Sequence, residues 1–250
     1  MSKFFYDTEF LEGTQAKRIL GIPYGKTPPT IDLISIGIVS EGNRELYLIS
    51  KDFNLREAWD RYDVKSIKVI DNGGLEAHLD TIEEREYWVR DNVLRPIWEE
   101  LSIRYMDDRR FPDNNSLFTY KSVKNLINKY GHTNAEIAEK VKEFCKPNRD
   151  YIFGGNTVHY SEVKNPELYG YYADYDHVAL CWLFGKMIDL PEGFPMYTID
   201  LKQMLDEKAK TFLPMEHLKK LKTYPKQTNE HNALADAKWN RELHEFIQSL

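Results

Sequence analysis

Lys3-Phe4-Phe5-Tyr6-Asp7-Thr8-Glu9-Phe10 is a short aromatic run that carries two acids one residue apart. Its composition predicts a β-strand. On a strand, residues i and i+2 share a face, so Asp7 and Glu9 point the same way. Their Cα atoms then lie roughly 6–7 Å apart, at a rise of ~3.3 Å per residue. Two carboxylates so placed can hold a divalent cation between them, and Asp7 could bridge to a second. Hard ions such as Mg²⁺ and Mn²⁺ prefer these oxygen ligands. The alternative is an exposed edge-strand pair. An Asp-x-Glu triplet arises by chance about once in a chain this long, so its weight depends on what surrounds it.

Outward from this strand, residues Ile31 to Ser40 and Arg44 to Ser50 are β-rich runs separated by Glu41-Gly42-Asn43, a tight-turn signal. They predict a hairpin able to pair with the first strand. Between the first strand and Ile31, Glu12 to Thr30, with several Gly and Pro residues and with Lys17, Arg18 and Lys26, reads as a loop. The middle reads as helical. Asp80-Thr81-Ile82-Glu83 has the capping-box pattern, and Tyr87, Trp88, Val93, Leu94, Ile97, Trp98 and Leu101 follow at helical spacing. Further helices are predicted over Ser122 to Tyr130, closed by Gly131 as a left-handed cap, and over about Asn134 to Phe144. Tyr105 to Ser116 reads as an exposed loop. Leu168 to Ala173 suits a buried strand and His177 to Met187 a helix. Pro195 to Ile199 suggests a short strand, with helices near Leu201–Glu207, Leu213–Leu221 and Ala233–Gln248. A mixed sheet covered by helices is the natural packing of this order.

Two more groups of residues carry chemistry. Asp174 and Asp176 follow the late strand where it hands over to a helix, a common place for ligands in open sheets. Either acid could instead cap the helix, and the spacing does not choose between them. His231-Asn232-Ala233-Leu234-Ala235-Asp236 opens the last helix. A histidine there can stay neutral near pH 7 and take a proton from water. An Asp one turn on can face the same cavity. Each piece alone is common. Together they place acids and a histidine at strand ends and helix starts that one pocket could collect.

The bulk numbers fit a soluble globular chain of 250 residues, with 42% hydrophobic and 30% charged residues. No apolar run is long enough to span a bilayer. The first residues lack signal-peptide architecture, which leads us to expect a cytoplasmic protein without membrane partners. Cys145 and Cys181 lack metal-ligand spacing and read as reduced thiols. The net charge of −6 argues mildly against non-specific nucleic-acid binding. Locally the balance reverses, because Lys208, Lys210, Lys219, Lys220, Lys222 and Lys226 share their stretch with one acid, Glu216. That stretch is either a solvated face or a strip for phosphates, with Lys219, Lys220 and Lys222 the leading candidates.

Three stretches carry a resemblance: Phe5-Tyr6-Asp7-Thr8-Glu9-Phe10, Tyr175-Asp176-His177-Val178-Ala179-Leu180-Cys181, and His231 through Ala237. In these the chain resembles the DEDDh 3′–5′ exonucleases, the DnaQ-like branch of the ribonuclease-H-like superfamily. It is most like bacterial RNase-T-like exoribonucleases of the mycobacterial polyadenylate-specific type. The likeness covers nearly the whole chain as a single domain over residues 1–250. The loop Glu12–Thr30 and the middle segment are longer than in compact members, so about 52–150 is expected as a helical insertion between the third and fourth strands. The resemblance implies an α/β fold with a mixed five-stranded sheet, its second strand antiparallel to its neighbours, and helices on both sides.

The resemblance also selects Asp176 as the third acid and leaves Asp174 as a supporting neighbour. Asp7, Glu9, Asp176 and Asp236 would hold two divalent cations, Mg²⁺ or Mn²⁺, with His231 as the base. Glu9 or nearby backbone would hold the terminal ribose hydroxyl. Phe10 and Leu11 could meet terminal bases, although a core role suits Phe10 as well. The implied activity is hydrolysis of single-stranded RNA from its 3′ end, releasing 5′-monophosphates. A DNA-directed exonuclease is the main alternative and an inactive nucleic-acid-binding module a lesser one. Relatives of this kind are often homodimers, so self-association is a further expectation.

Overall fold

The aromatic, β-forming residues of the first segment produce one long strand, β1 (Ser2–Gly13). The computed structural model describes residues 2–71, 78–106, 117–146, 151–154, 157–160 and 165–250. After β1 come β2 (Ala16–Ile19), β3 (Ile22–Lys26), β4 (Thr30–Ser40) and β5 (Glu45–Ile49). The middle contains α1 (Leu55–Asp60), β6 (Asp63–Asp71), β7 (His78–Glu86), a wide helical turn at Arg90–Leu94, α2 (Arg95–Met106), α3 (Tyr120–Tyr130) and α4 (Asn134–Phe144). Then follow β8 (Tyr151–Gly154), β9 (Thr157–Tyr160), β10 (Pro166–Gly170), α5 (Asp174–Phe184), a 3₁₀ turn at Met187–Asp189, β11 (Ile199–Asp200), α6 (Leu201–Thr211), α7 (Met215–Leu218) and α8 (Ala233–Ser249).

The five strands of the main sheet run in the order β11-β10-β1-β4-β5. β1, β10 and β11 are parallel, and β4 is antiparallel to both β1 and β5. This is a mixed α/β sheet flanked by helices, as the element order suggests. Phe4 and Tyr6 face one side and pack with Leu168, Ile137, Val141 and Leu180 under α4 and α5. Phe5 faces the other side, with Leu201, Leu218, Trp239, Leu243 and Phe246 from α6, α7 and α8. Leu11 shares Phe5's face by its even spacing and joins a separate cluster with Ile97, Leu101, Val123 and Leu126 from α2 and α3.

A bulge makes this second cluster possible. Glu9 pairs with Ser35 but Phe10 pairs with Leu33, so Ile34 is the extra residue on β4. Beyond it the strand changes phase. Ile36 and Ile38 pack with Tyr6, whereas Ile34 packs with Leu11. On the Phe5 face, Asp7 and Glu9 therefore fall between two apolar clusters, in the gap that neither fills.

Several expectations change. Glu12–Thr30 is not a plain loop: β2 and β3 pair as a hairpin, turned by Leu20 and Gly21, both at positive φ. Asp80–Glu83 caps no helix. It lies in β7, which takes β6 as its partner, and β-branched Thr81 and Ile82 suit a strand. The middle segment is thus helices plus this hairpin. The helix after β7 contains a wide turn in which the Arg95 N–H bonds to the Arg90 carbonyl, just before Pro96, whose ring has no N–H to continue the ladder.

Gly131 is extended, with φ −74° and ψ 165°, rather than left-handed. The chain leaves α3 to bridge β5, where the His132 N–H donates to the Ile49 carbonyl at 2.8 Å. Glycine is needed there because a Cβ would stand 2.5 Å from the Ile127 carbonyl oxygen. The strand expected over Leu168 to Ala173 stops at Gly170, since Tyr172 turns to φ 54°. α5 accordingly starts at Asp174, earlier than His177, and ends at Phe184 before Gly185. The short strand near Pro195–Ile199 reduces to Ile199–Asp200. The loop expected at Tyr105–Ser116 lies, from residue 107 on, outside the described residues, while Tyr105 and Met106 end α2. Both cysteines are free and buried. Among the described residues no helix is long and apolar enough to cross a membrane.

Candidate active site

Asp7 and Glu9 project from β1 into the gap, and the first turn of α8 brings Asp236 to meet them. One carboxylate oxygen from each of the three lies within 4.8 Å of the others. Gly37 permits this approach. It pairs with Asp7 across the β1–β4 ladder. A Cβ on it would stand 2.2 Å from the Ala233 carbonyl oxygen and 2.3 Å from the Leu234 nitrogen. The start of α8 therefore lies directly on β4 beside Asp7. Asn232 caps α8 by accepting the Ala235 N–H at 3.1 Å. Farther along, the Asn240 side-chain amide donates to the Tyr6 carbonyl at 3.0 Å, tying α8 to β1 one residue before Asp7.

Asp236 organises the loop ahead of its helix. Its carboxylate accepts the Gln227 amide at 2.6 Å and the His231 N–H at 2.9 Å. His231 takes a left-handed conformation, φ 68°, as does Asn229 at 54°. Such angles are costly for residues with a Cβ, and the contacts to Asp236 hold the turn in place. The His231 ring lies edge-to-face on Trp88, with centroids 4.7 Å apart. The chain just after β7 thereby supplies a wall for the histidine.

Asp176 enters from the first turn of α5. β10 ends at Gly170, so the β1 edge beyond Phe5 has no strand partner there. Asp176 fills that role: its Oδ1 accepts the Thr8 N–H at 2.8 Å and the Thr8 hydroxyl at 2.5 Å. Asp200 secures the start of α5 by accepting the Ala173 N–H at 3.0 Å, while its other oxygen caps α6 through Gln203. Asp174 is two residues before Asp176, about 200° around the helix. It is exposed and outside the cleft.

Asp7, Glu9, Asp176, His231 and Asp236 line one cleft of about 950 Å³. Phe10 lines it too and meets Tyr175 edge-to-face at 5.7 Å. Leu11 does not: it is fully buried in the cluster with Ile34, so the expected contact with terminal bases is corrected to a core role. It shares the face of Asp7 and Glu9, but at Leu11 that face is covered by α2 and α3. Lys219, Lys220 and Lys222 are exposed at and after the end of α7 and do not line the cleft. Thr8, Gly37 and Gln227 escape a reading of the sequence, and Trp88 is read there only as one of the apolar residues at helical spacing. The one signal for Gly37 is a glycine inside a β-rich run, which marks close backbone approach.

The carboxylates repel ionisation. Burial, then Asp176, Glu9 and Asp236, raise the Asp7 pKa well above the ordinary range. Burial, then Asp236 and Asp176, push Glu9 up to about 8. Burial raises Asp176 to about 6 against the opposing hydrogen bonds from Thr8. Asp236 is raised by burial, opposed by Gln227 and His231. The donors are all hard oxygens, and the charge they would carry is negative. That set fits a divalent cation of the Mg²⁺ or Mn²⁺ class.

A pH dependence follows. In the metal-free protein the folded state keeps protons on Glu9 and Asp176 that the unfolded chain has already released. Stability must then fall as pH rises from the ordinary carboxylate range through about 8. Thermal melts in EDTA should drop between about pH 5 and pH 8, and Mn²⁺ should restore the loss at the upper end. A metal-free melting temperature that is flat over this window would contradict the described repulsion.

No family model matches the chain. Two curated relatives, each named 3′–5′ exoribonuclease and each from a strain of Mycobacterium tuberculosis, are similar to it at 25% identity over 236 residues, which covers 94% of this chain and 87% of each relative.

Proposed function

We propose that this chain is a metal-dependent 3′–5′ exoribonuclease of the DEDDh kind, built as one ribonuclease-H-like catalytic domain. It removes nucleotides from the 3′ end of single-stranded RNA and releases 5′-monophosphates. The observation that carries this reading is the meeting of Asp7, Glu9 and Asp236 carboxylates within 4.8 Å, with Asp176 and His231 on the same cleft. The whole-length similarity to proteins named 3′–5′ exoribonuclease supports RNA as the substrate.

Asp7, Glu9, Asp176 and Asp236 would hold two divalent cations. Bound there, these would acidify a water and offset charge on the leaving 3′ oxygen. The remaining work falls to the chain. His231 stands in the cleft wall with its backbone fastened to Asp236 and its ring against Trp88. From there it accepts the proton of the attacking water. Phe10, propped by Tyr175, offers an apolar surface to the terminal base, which suits every base alike. Thr8 keeps the Asp176 carboxylate oriented by two hydrogen bonds.

The decisive experiment is a time course on 5′-labelled RNA and DNA strands of matched sequence, with Mg²⁺, with Mn²⁺ and with EDTA. A ladder shrinking from the 3′ end of RNA, abolished by EDTA, is the expected result. Preference for the DNA strand would move the assignment to a deoxyribonuclease. His231→Ala should lower turnover by ~10²–10⁴-fold and leave Mn²⁺ binding, read by calorimetry, largely intact. Loss of Mn²⁺ binding in that variant would make His231 a ligand rather than a base.

A further inference from the structure

The hairpin of β2 and β3 has no part in the site as described. It is fastened at its base. The Arg61 guanidinium donates to the Glu12 and Thr14 carbonyls, the Glu57 carboxylate accepts the Ala16 N–H at 3.2 Å, and the Gln15 N–H donates to the Thr27 hydroxyl at 2.9 Å. Beyond that base the arm is exposed, apart from the Arg18 contact to Asp60 of α1. Every residue of β3 is exposed, and Leu20 at the tip is 98% accessible. Among the described residues Arg18 is matched by Asp60 at 3.6 Å, while Lys17 and Lys26 form no ion pair. Residues 13–31 contain these three cations and no acid, in a chain of net charge −6.

The register of the arm has one irregularity. Lys17 pairs with Gly25 and Arg18 with Pro23, so Tyr24 is the extra residue of a bulge. Bulges re-aim the side chain they carry. Tyr24 is 63% exposed, and Lys26 follows two residues later. An exposed aromatic set among unpaired lysines is the chemistry of a single-stranded nucleic-acid surface: a ring for a base and cations for the phosphates beside it.

Location completes the argument. The hairpin's base, through Glu12, Gly13, Pro29 and Thr30, forms one rim of the cleft that holds Asp7 and Glu9. Of the lysines and arginines, only Arg61 is among the described residues lining that cleft, and its guanidinium is committed to backbone carbonyls and to Glu57. Phosphates upstream of the reacting end must find cations beyond the rim, and β1 leads from Glu9 through Gly13 into β2, which carries Lys17. We infer that the β2–β3 hairpin is a binding arm for the single-stranded RNA that leaves the cleft, with Tyr24 stacking on a base and Lys17 and Lys26 holding adjacent phosphates. The inference rests on the exoribonuclease reading of the site.

The test uses the full chain, a 5′-labelled RNA of about twelve nucleotides and a dinucleotide too short to reach the arm. Tyr24→Ala, and separately the pair Lys17→Ala with Lys26→Ala, should raise KM for the long strand about tenfold. Both should leave its kcat, and hydrolysis of the dinucleotide, within about twofold. The lysine pair should also reduce the slope of log KM against log salt by about 1.4, at ~0.7 per phosphate contact on a single strand. Unchanged KM for the long strand would overturn the arm. So would an equal loss on both substrates. A fall in particle mass by light scattering in Leu20→Ser, with activity lost on both substrates, would make the hairpin a contact between copies and overturn it as well. Should the wild-type protein hydrolyse neither substrate, the exoribonuclease reading fails by itself. Binding of the labelled twelve-nucleotide RNA in EDTA then decides the arm: weaker binding in the variants supports it, and equal binding refutes it.

Discussion

Asp7→Asn is expected to abolish hydrolysis and, at the same time, to make the metal-free protein more stable near pH 8. The two effects have one cause. Asp7 sits among Glu9, Asp176 and Asp236, and each of those carboxylates makes its ionisation harder. Replacing it with a neutral isostere removes a source of repulsion from the folded state. The same change takes a ligand from the proposed cation site, so turnover should fall by ~10²-fold or more, the scale of losing one preorganised electrostatic contact. Melts in EDTA and a labelled-RNA time course on one preparation check both signs. Activity above about a tenth of wild type would count against a shared cation site. A lower metal-free melting temperature would count against the repulsion.

Gly37→Ala should be nearly as severe although it removes no chemical group. A methyl at that position would stand 2.2 Å from the Ala233 carbonyl oxygen, and the obstacle is backbone rather than a movable side chain. Either β4 or the first turn of α8 must shift. Overpacking of this sort typically costs about 1–3 kcal/mol, readable as a lower denaturant midpoint with an unchanged slope. The catalytic effect should exceed the loss of stability. The shift moves Asp236 and His231 away from Asp7 and Glu9, and a misplacement of about 1 Å can cost ~10²-fold. Folded protein with wild-type turnover would show that α8 has more freedom against β4 than the packing implies.

Most of the main sheet is legible in the amino-acid sequence. β1, β4 and β5 carry dense β-formers and a clear turn, and α3, α4 and α8 show apolar residues at helical spacing. The failures share a cause. At Asp80–Glu83 a local capping pattern loses to β6, a partner strand whose pairing no short window displays. At Gly131 a glycine that reads as a left-handed helix cap serves instead, in extended backbone, to let β5 bridge the end of α3. Glu12–Thr30 reads as unstructured because Gly and Pro are frequent there, yet Leu20-Gly21 makes the tight turn of a hairpin.

The site divides in the same way. Spacing brings out Asp7 with Glu9 and His231 with Asp236, and the fold gathers these four on one cleft. Spacing alone leaves Asp174 and Asp176 equivalent. Two residues along a helix point to nearly opposite sides, and only the bond from Thr8 tells which side faces β1. Thr8, Gln227 and Gly37 matter through partners far along the chain, which no local pattern records. Adjacency to Glu9 and Phe10 suggests the cleft for Leu11, whereas α2 and α3 cover the face of β1 at that point and make it core.

The origin of the three clustered carboxylates also sets the order in which the cluster can assemble. Asp7 and Glu9 belong to the first strand, whose pairing with β4 is available as soon as residue 40 has been made. Asp236 belongs to the last helix and reaches them only when α8 settles on Gly37 and the Tyr6 carbonyl. Contacts between segments this far apart form late, because closing a long loop comes before any reward from the contact. Until then the chain carries two of the three carboxylates and no assembled cluster. Under the proposed function, no cleft able to act on RNA exists before the last helix docks.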